Sequence, residues 1–132
     1  PFEDNYFDLI YGQSVFTHLS EGDQFAWLEE LARVVRVGGY VFVTYCGELG
    51  LFMSKHHQIG RNPSALYKFI EEGYVDFGPV SAGVDDTNPG YYRLVAHSTR
   101  YIRTKWSNFF LVKSIIYGFA GHQNLVILQK VR

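Results

Sequence analysis

Gly12-Gln13-Ser14 directly follows one short apolar run, and Tyr45-Cys46-Gly47-Glu48 directly follows another. In open α/β sheets, ligands sit at the carboxyl ends of the strands, so these two places are where chemistry is expected. At the first, Gly12 permits close backbone approach, while Gln13 and Ser14 offer side-chain hydrogen bonds. The competing reading is a plain polar loop between strand and helix. His18 lies four residues beyond Ser14. An imidazole there could act as a general base, and a capping or packing histidine is an equal alternative. His97 and Tyr101, four apart and so on one face of a helix, are candidates for substrate contact together with Tyr45 and Glu48. A helix-capping histidine and a packed tyrosine carry equal weight.

His56-His57, His97, His122 and Cys46 invite a metal ion, but their spacing argues against one. Adjacent histidines rarely share a metal, and neither C-x-x-C nor H-E-x-x-H occurs. Arg33, Arg36, Arg100, Arg103 and Lys105 read as solvated helix faces.

The elements that must position these groups follow from pattern. Phe7 to Tyr11 is an apolar run bounded by Asp4-Asn5 and Gly12, and reads as a buried strand. Ser20 is a helix N-cap, with Asp23 three residues on. Phe25, Leu28, Leu31, Ala32 and Val35 recur at helical spacing, and Gly38-Gly39 is the expected stop. Tyr40 to Tyr45 lacks polar alternation, which predicts a strand covered on both faces, in a right-handed parallel crossover. Ser64 to Glu72 reads as a helix after Pro63, ended by Gly73. Tyr74 to Phe77 and Tyr91 to Val95 read as an irregular hairpin across the turn-rich loop 81–90. Ser98 to Trp106 reads as a helix, and Phe109 to Ile116 and Leu125 to Leu128 as strands. The loop joining those strands is too short for a crossover helix, so they pair antiparallel.

The chain has 132 residues, 47% hydrophobic and 17% aromatic, with a formal net charge of -1. It is one domain or a large piece of one. Balanced charge argues against nucleic acid or an anionic membrane as the main partner. No apolar run approaches the roughly 18 residues of a membrane span. Cys46 is the one cysteine and no signal-peptide pattern is visible, so a cytoplasmic location is expected.

Pro1 to Tyr11 resembles the fourth-strand region of class I S-adenosylmethionine-dependent methyltransferases. Val15-Phe16-Thr17-His18-Leu19 resembles the segment after it, and Trp27 to Gly39 the next helix and turn, with Val35 and Val37 where many members have Leu and Pro. Gly121 to Leu128 is similar to the end of some members. The resemblance implies a partial Rossmann-like α/β sheet holding strands four to seven, the last antiparallel, with an inserted helix and hairpin lid. Residues 1–46 would be the strand-helix-strand core, 47–107 the lid, and 108–132 the terminal strand pair. Strands one to three are expected to be missing. No glycine-rich cofactor loop, ribose-binding acid or adenine-side acid can be matched.

The same resemblance implies S-adenosylmethionine as cofactor of the intact protein, with Gly12, Gln13 and Ser14 against its methionine part and His18 near the active-site mouth. The expected function is methyl transfer to an unknown small-molecule or other acceptor, with the 132 residues inactive alone. Aromatic faces such as Tyr11, Phe16 or Tyr45 could favour the cationic sulfonium, although core packing is the preferred reading. The alternative is a non-catalytic module of the same fold that mediates association. The strand 7–11 would be internal in the complete sheet; within these residues one side lacks its neighbour, which predicts self-association along that edge or its cover by another segment.

Overall fold

A computed structural model describes residues 2–53, 62–80 and 90–132. His56-His57 and most of the loop 81–90 lie outside the described residues. The chain begins with strand β1 (Phe7–Gly12), helix α1 (Glu21–Val34) and strand β2 (Val35–Cys46). β1 and β2 pair in parallel, from Leu9 opposite Tyr40 to Gly12 opposite Val43. Ser20 caps α1 by accepting from the Asp23 amide at 3.2 Å.

α1 ends four residues earlier than the glycine pair suggests. Its cap is Val35, in extended conformation and fully buried, and the Arg33 carbonyl is taken by the Asn5 amide. Burying this β-branched residue in the sheet outweighs the glycine stop signal. Gly38 and Gly39 lie inside β2 instead. Gly38 has φ +80, and its amide reaches the Lys130 carbonyl at 2.7 Å. A Cβ on Gly39 would lie 2.9 Å from the Asp8 carbonyl, so the close approach of β1 admits only glycine.

Beyond β2 come helices α2 (Glu48–Met53) and α3 (Pro63–Glu72), then strands β3 (Tyr74–Pro79) and β4 (Arg93–His97), which pair antiparallel in a separate two-stranded sheet. α2 was not foreseen from the sequence. Helix α4 (Thr99–Lys105) and a short 3-10 turn lead to strands β5 (Leu111–Ala120) and β6 (Gln123–Gln129). His97 is the last residue of β4 and Ser98 is the cap of α4, so His97 and Tyr101 do not share a helix.

The main sheet has the order β1-β2-β6-β5. β6 is antiparallel to both its neighbours, so β1, β2 and β5 run one way and the last strand is reversed. One face carries the core: Val41, Val43, Val126 and Leu128 of the strands meet Leu28 and Leu31 of α1 and Ile102 and Trp106 after it. The opposite face is more open than expected. Tyr40 and Phe42 are half-buried there, and Leu9 and Tyr11 are exposed. A second cluster, including Cys46, Leu51, Phe69, Val75 and Ala96, joins α2 and α3 to the hairpin.

Candidate functional site

The loop after β1 is held in place by three side chains. Ser14 takes a left-handed backbone with φ 57, a conformation costing on the order of 1 kcal/mol or more in a non-glycine residue. Its amide donates to Thr44 Oγ1 at 2.8 Å, and its hydroxyl lies 2.9 Å from Gln123 Nε2. The Thr44 hydroxyl donates to Gln123 Oε1 at 2.7 Å. This closed ring ties the β1 loop to β2 and β6. Gln13 is exposed, with its Oε1 accepting from the Tyr11 hydroxyl at 2.5 Å. Gly12 lies opposite Val43, and a Cβ on it would meet Val43 Cγ1 at 3.4 Å. Gly12, Gln13 and Ser14 therefore form one ordered turn at the carboxyl end of β1.

His18 is fastened to β4. Its Nδ1 lies 2.8 Å from the Arg93 carbonyl oxygen, which can only accept. Nδ1 therefore carries the proton, and Nε2 keeps its lone pair. The ring stacks on Tyr92 at 4.0 Å and 17°. Burial lowers the imidazole pKa below its ordinary value, partly offset by the Arg93 carbonyl. The flanking backbone continues the tie, with the Arg93 amide on the His18 carbonyl and the Val95 amide on the Thr17 carbonyl. Arg93 itself is paired with Asp76 at 2.6 Å.

Tyr45, His97 and Tyr101 lie in the packed interior and do not line an open pocket. His97 contacts the rings of Tyr45, Tyr74, Tyr101 and Trp106 at centroid distances from 5.3 to 6.0 Å. Its Nε2 donates to Gln24 Oε1 at 2.8 Å, and the Gln24 amide donates to the carbonyls of Phe16 and Leu19. Burial pushes the His97 imidazole down to about 3, opposed by a backbone contact at Cys46. The Tyr101 hydroxyl donates to Glu21 at 2.5 Å, and burial, followed by the Glu21 carboxylate, raises its pKa. Glu48 accepts from the Thr99 amide at 2.6 Å and so caps α4. These four candidates join hairpin and α4 to the sheet.

Burial raises the Cys46 thiol to about 12, so it is no nucleophile at neutral pH. Among the described residues no group of three or more His, Cys, Asp or Glu side chains could hold a metal. Arg33 pairs with Asp4 and Glu30, Arg36 with Asp8, and Arg100 caps the carbonyls of Ile70 and Glu71.

Residues 1–43 match the sequence family described as a methyltransferase domain. A SAM-dependent methyltransferase from Methanosarcina mazei superposes with a TM-score of 0.58 at 19% identity, covering 98% of this chain and 62% of that one. The chain has the class I methyltransferase fold. The PH0226 protein from Pyrococcus horikoshii OT3 superposes with a TM-score of 0.54 at 12% identity, over 98% of this chain and 57% of that one. The chain thus spans about three fifths of the length of these structures. No curated protein matches it.

In this methyltransferase fold, the carboxyl ends of β1 and β2 open side by side, and the Gly12–Ser14 turn stands between them. Thr44 and Gln123, which fix that turn, were missed from the sequence. Their only signal is a polar residue near the end of an otherwise apolar strand. Asn124 was also missed. Its Oδ1 accepts from the Gly118 amide, and its side chain occupies the space a Cβ on Gly47 would need.

Proposed function

We propose that the chain forms part of an enzyme that transfers a methyl group from S-adenosylmethionine to an acceptor still to be identified. The observation that carries this reading is the fixed Gly12–Ser14 turn at the carboxyl end of β1, in a sheet of methyltransferase order. When bound, the cofactor supplies an electrophilic methyl on a sulfonium. The residues present fit its amino-acid end: Gln13 is an exposed carboxamide, and the turn is already ordered by Thr44 and Gln123. Such preorganisation lowers the entropy lost on binding.

His18 is the candidate base. It is half-buried and neutral near pH 7, with Nδ1–H committed to a carbonyl, so Nε2 is the nitrogen able to accept a proton. Alignment of the acceptor and exclusion of water would do the rest. Tyr45, Glu48, His97 and Tyr101 then act by holding the lid in place, and any direct acceptor contact by them requires the lid to move.

The sequence contains no G-x-G that could cradle a nucleotide. The 132 residues alone should therefore hold the cofactor weakly and be inactive. Irradiating the chain with radiolabelled S-adenosylmethionine and mapping the attached label by mass spectrometry tests the reading. Label is expected on the peptide holding residues 11–14. Label confined to other peptides, or none at millimolar cofactor, would refute it. The second reading, a non-catalytic association module, is favoured by exposed apolar side chains on β1, where Leu9 is 53% and Tyr11 55% exposed.

A further inference from the structure

We propose that Gln24 is a positioning residue for His18: its buried carboxamide grips the backbone on both sides of that histidine and fixes where the imidazole stands relative to the Gly12–Ser14 turn. The use of His18 as a base rests on the methyl-transfer reading. The grip itself is a property of the fold and can be measured without cofactor.

Gln24 lies near the start of α1 and is fully buried. A buried carboxamide must find partners for its N–H donors and its oxygen. Here Nε2 donates to the Phe16 carbonyl at 3.2 Å and to the Leu19 carbonyl at 2.9 Å. Oε1 faces His97 Nε2 at 2.8 Å. The two carbonyls can only accept, so they decide which end of the amide is nitrogen. That choice in turn puts the His97 proton on Nε2.

The grip completes a row of backbone ties. The Val15 carbonyl is taken by the His18 amide, the Thr17 carbonyl by the Val95 amide and the His18 carbonyl by the Arg93 amide. Phe16 and Leu19 supply the remaining two carbonyls, and both go to Gln24. Every carbonyl from Val15 to Leu19 is therefore held. Ser14 at one end is anchored on Thr44, and Ser20 at the other caps α1.

This matters for a base because a misplacement of about 1 Å can cost on the order of a hundredfold in rate. The Arg93 carbonyl that fixes the His18 tautomer belongs to β4, and Gln24 also holds β4 through His97. One side chain thus keeps the imidazole and its tautomer-fixing partner in a single frame.

Nitrogen NMR and amide exchange on the labelled chain, both without cofactor, test the proposal, so the outcome is separate from that of the cofactor labelling. Gln24→Met is similar in length but has no N–H to donate. The control is Gly39→Ala, which strains the fold at the opposite end of β1. The two are compared in urea adjusted to matched global stability. In Gln24→Met, His18 is expected to lose its single Nδ1–H form for a mixture with the Nε2–H form that water favours. The Arg93 and Val95 amides should exchange about tenfold faster than in the control. Should Gln24→Met fail to fold, the wild type decides: His97 is expected as Nε2–H, with the Gln24 side-chain protons protected from exchange. An unchanged His18 tautomer in folded Gln24→Met, or equal exchange of those two amides in both variants, would overturn the proposal. So would an Nδ1–H form of His97 or an unprotected Gln24 carboxamide in the wild type.

Discussion

His18 and His97 show how one residue type takes two roles. His18 keeps Nε2 available because a backbone carbonyl fixes its tautomer and Tyr92 fixes its plane. Nitrogen NMR of the labelled chain should find the Nδ1–H form and a midpoint below the ordinary histidine value. Tyr92→Ala should raise that midpoint by exposing the ring. An Nε2–H tautomer, or no change in Tyr92→Ala, would contradict the role. His97 is buried neutral, with its folded pKa far below its unfolded one. Its contribution to stability is full above the unfolded pKa and is lost as pH falls below about 6.5 towards the folded value near 3. Urea unfolding should therefore show the protein losing about 2 kcal/mol between pH 6.5 and 5, and His97→Gln losing less. Equal losses would contradict this. That a histidine follows the β1 loop was legible from the sequence. Thr44 and Gln123 were not, because they meet across 79 residues and only the register of β2 on β6 brings them together.

Among the elements, those with long apolar periodicity were read correctly, and those decided by tertiary contact were not. α1, α3 and the strands stand close to where the pattern put them. α1 ends early because Val35 is worth more in the sheet than in another helical turn. α2, with six residues, is too short to show a period, and it is held by burial of Leu51 and by Gly50 packing against the His122 carbonyl. Gly39→Ala should destabilise the fold by roughly 1–3 kcal/mol, since its Cβ would meet two backbone carbonyls within 3 Å. Gly22→Ala, with open space around it, should be neutral or mildly stabilising. A thermal unfolding comparison of the two variants checks the assignment, and equal midpoints would contradict it. Glu48→Gln should weaken the cap on α4 and loosen its tie to α2, costing about 1 kcal/mol in the same assay.

At the scale of the molecule, the reversed last strand was legible from one short loop, because a crossover helix cannot fit between β5 and β6. The uneven cover of the sheet was not, since Tyr40 to Tyr45 reads as apolar on both sides while only Val41, Val43 and Tyr45 reach the main core. In the proposed function, the Gly12–Ser14 turn holds one side of a cofactor site, and the sequence carries no G-x-G to hold the other. Half a set of contacts still bears the full loss of translational freedom on binding. Calorimetry with S-adenosylhomocysteine on the 132 residues should thus give no micromolar constant. The most direct measurement is an amide NMR titration of the labelled chain with S-adenosylhomocysteine to millimolar concentration. Progressive shifts at Gly12, Gln13 and Ser14, reduced in Gln123→Ala, are the expected result. Shifts confined to the lid or to β5, or an unperturbed spectrum, would contradict the assignment of that turn to the cofactor.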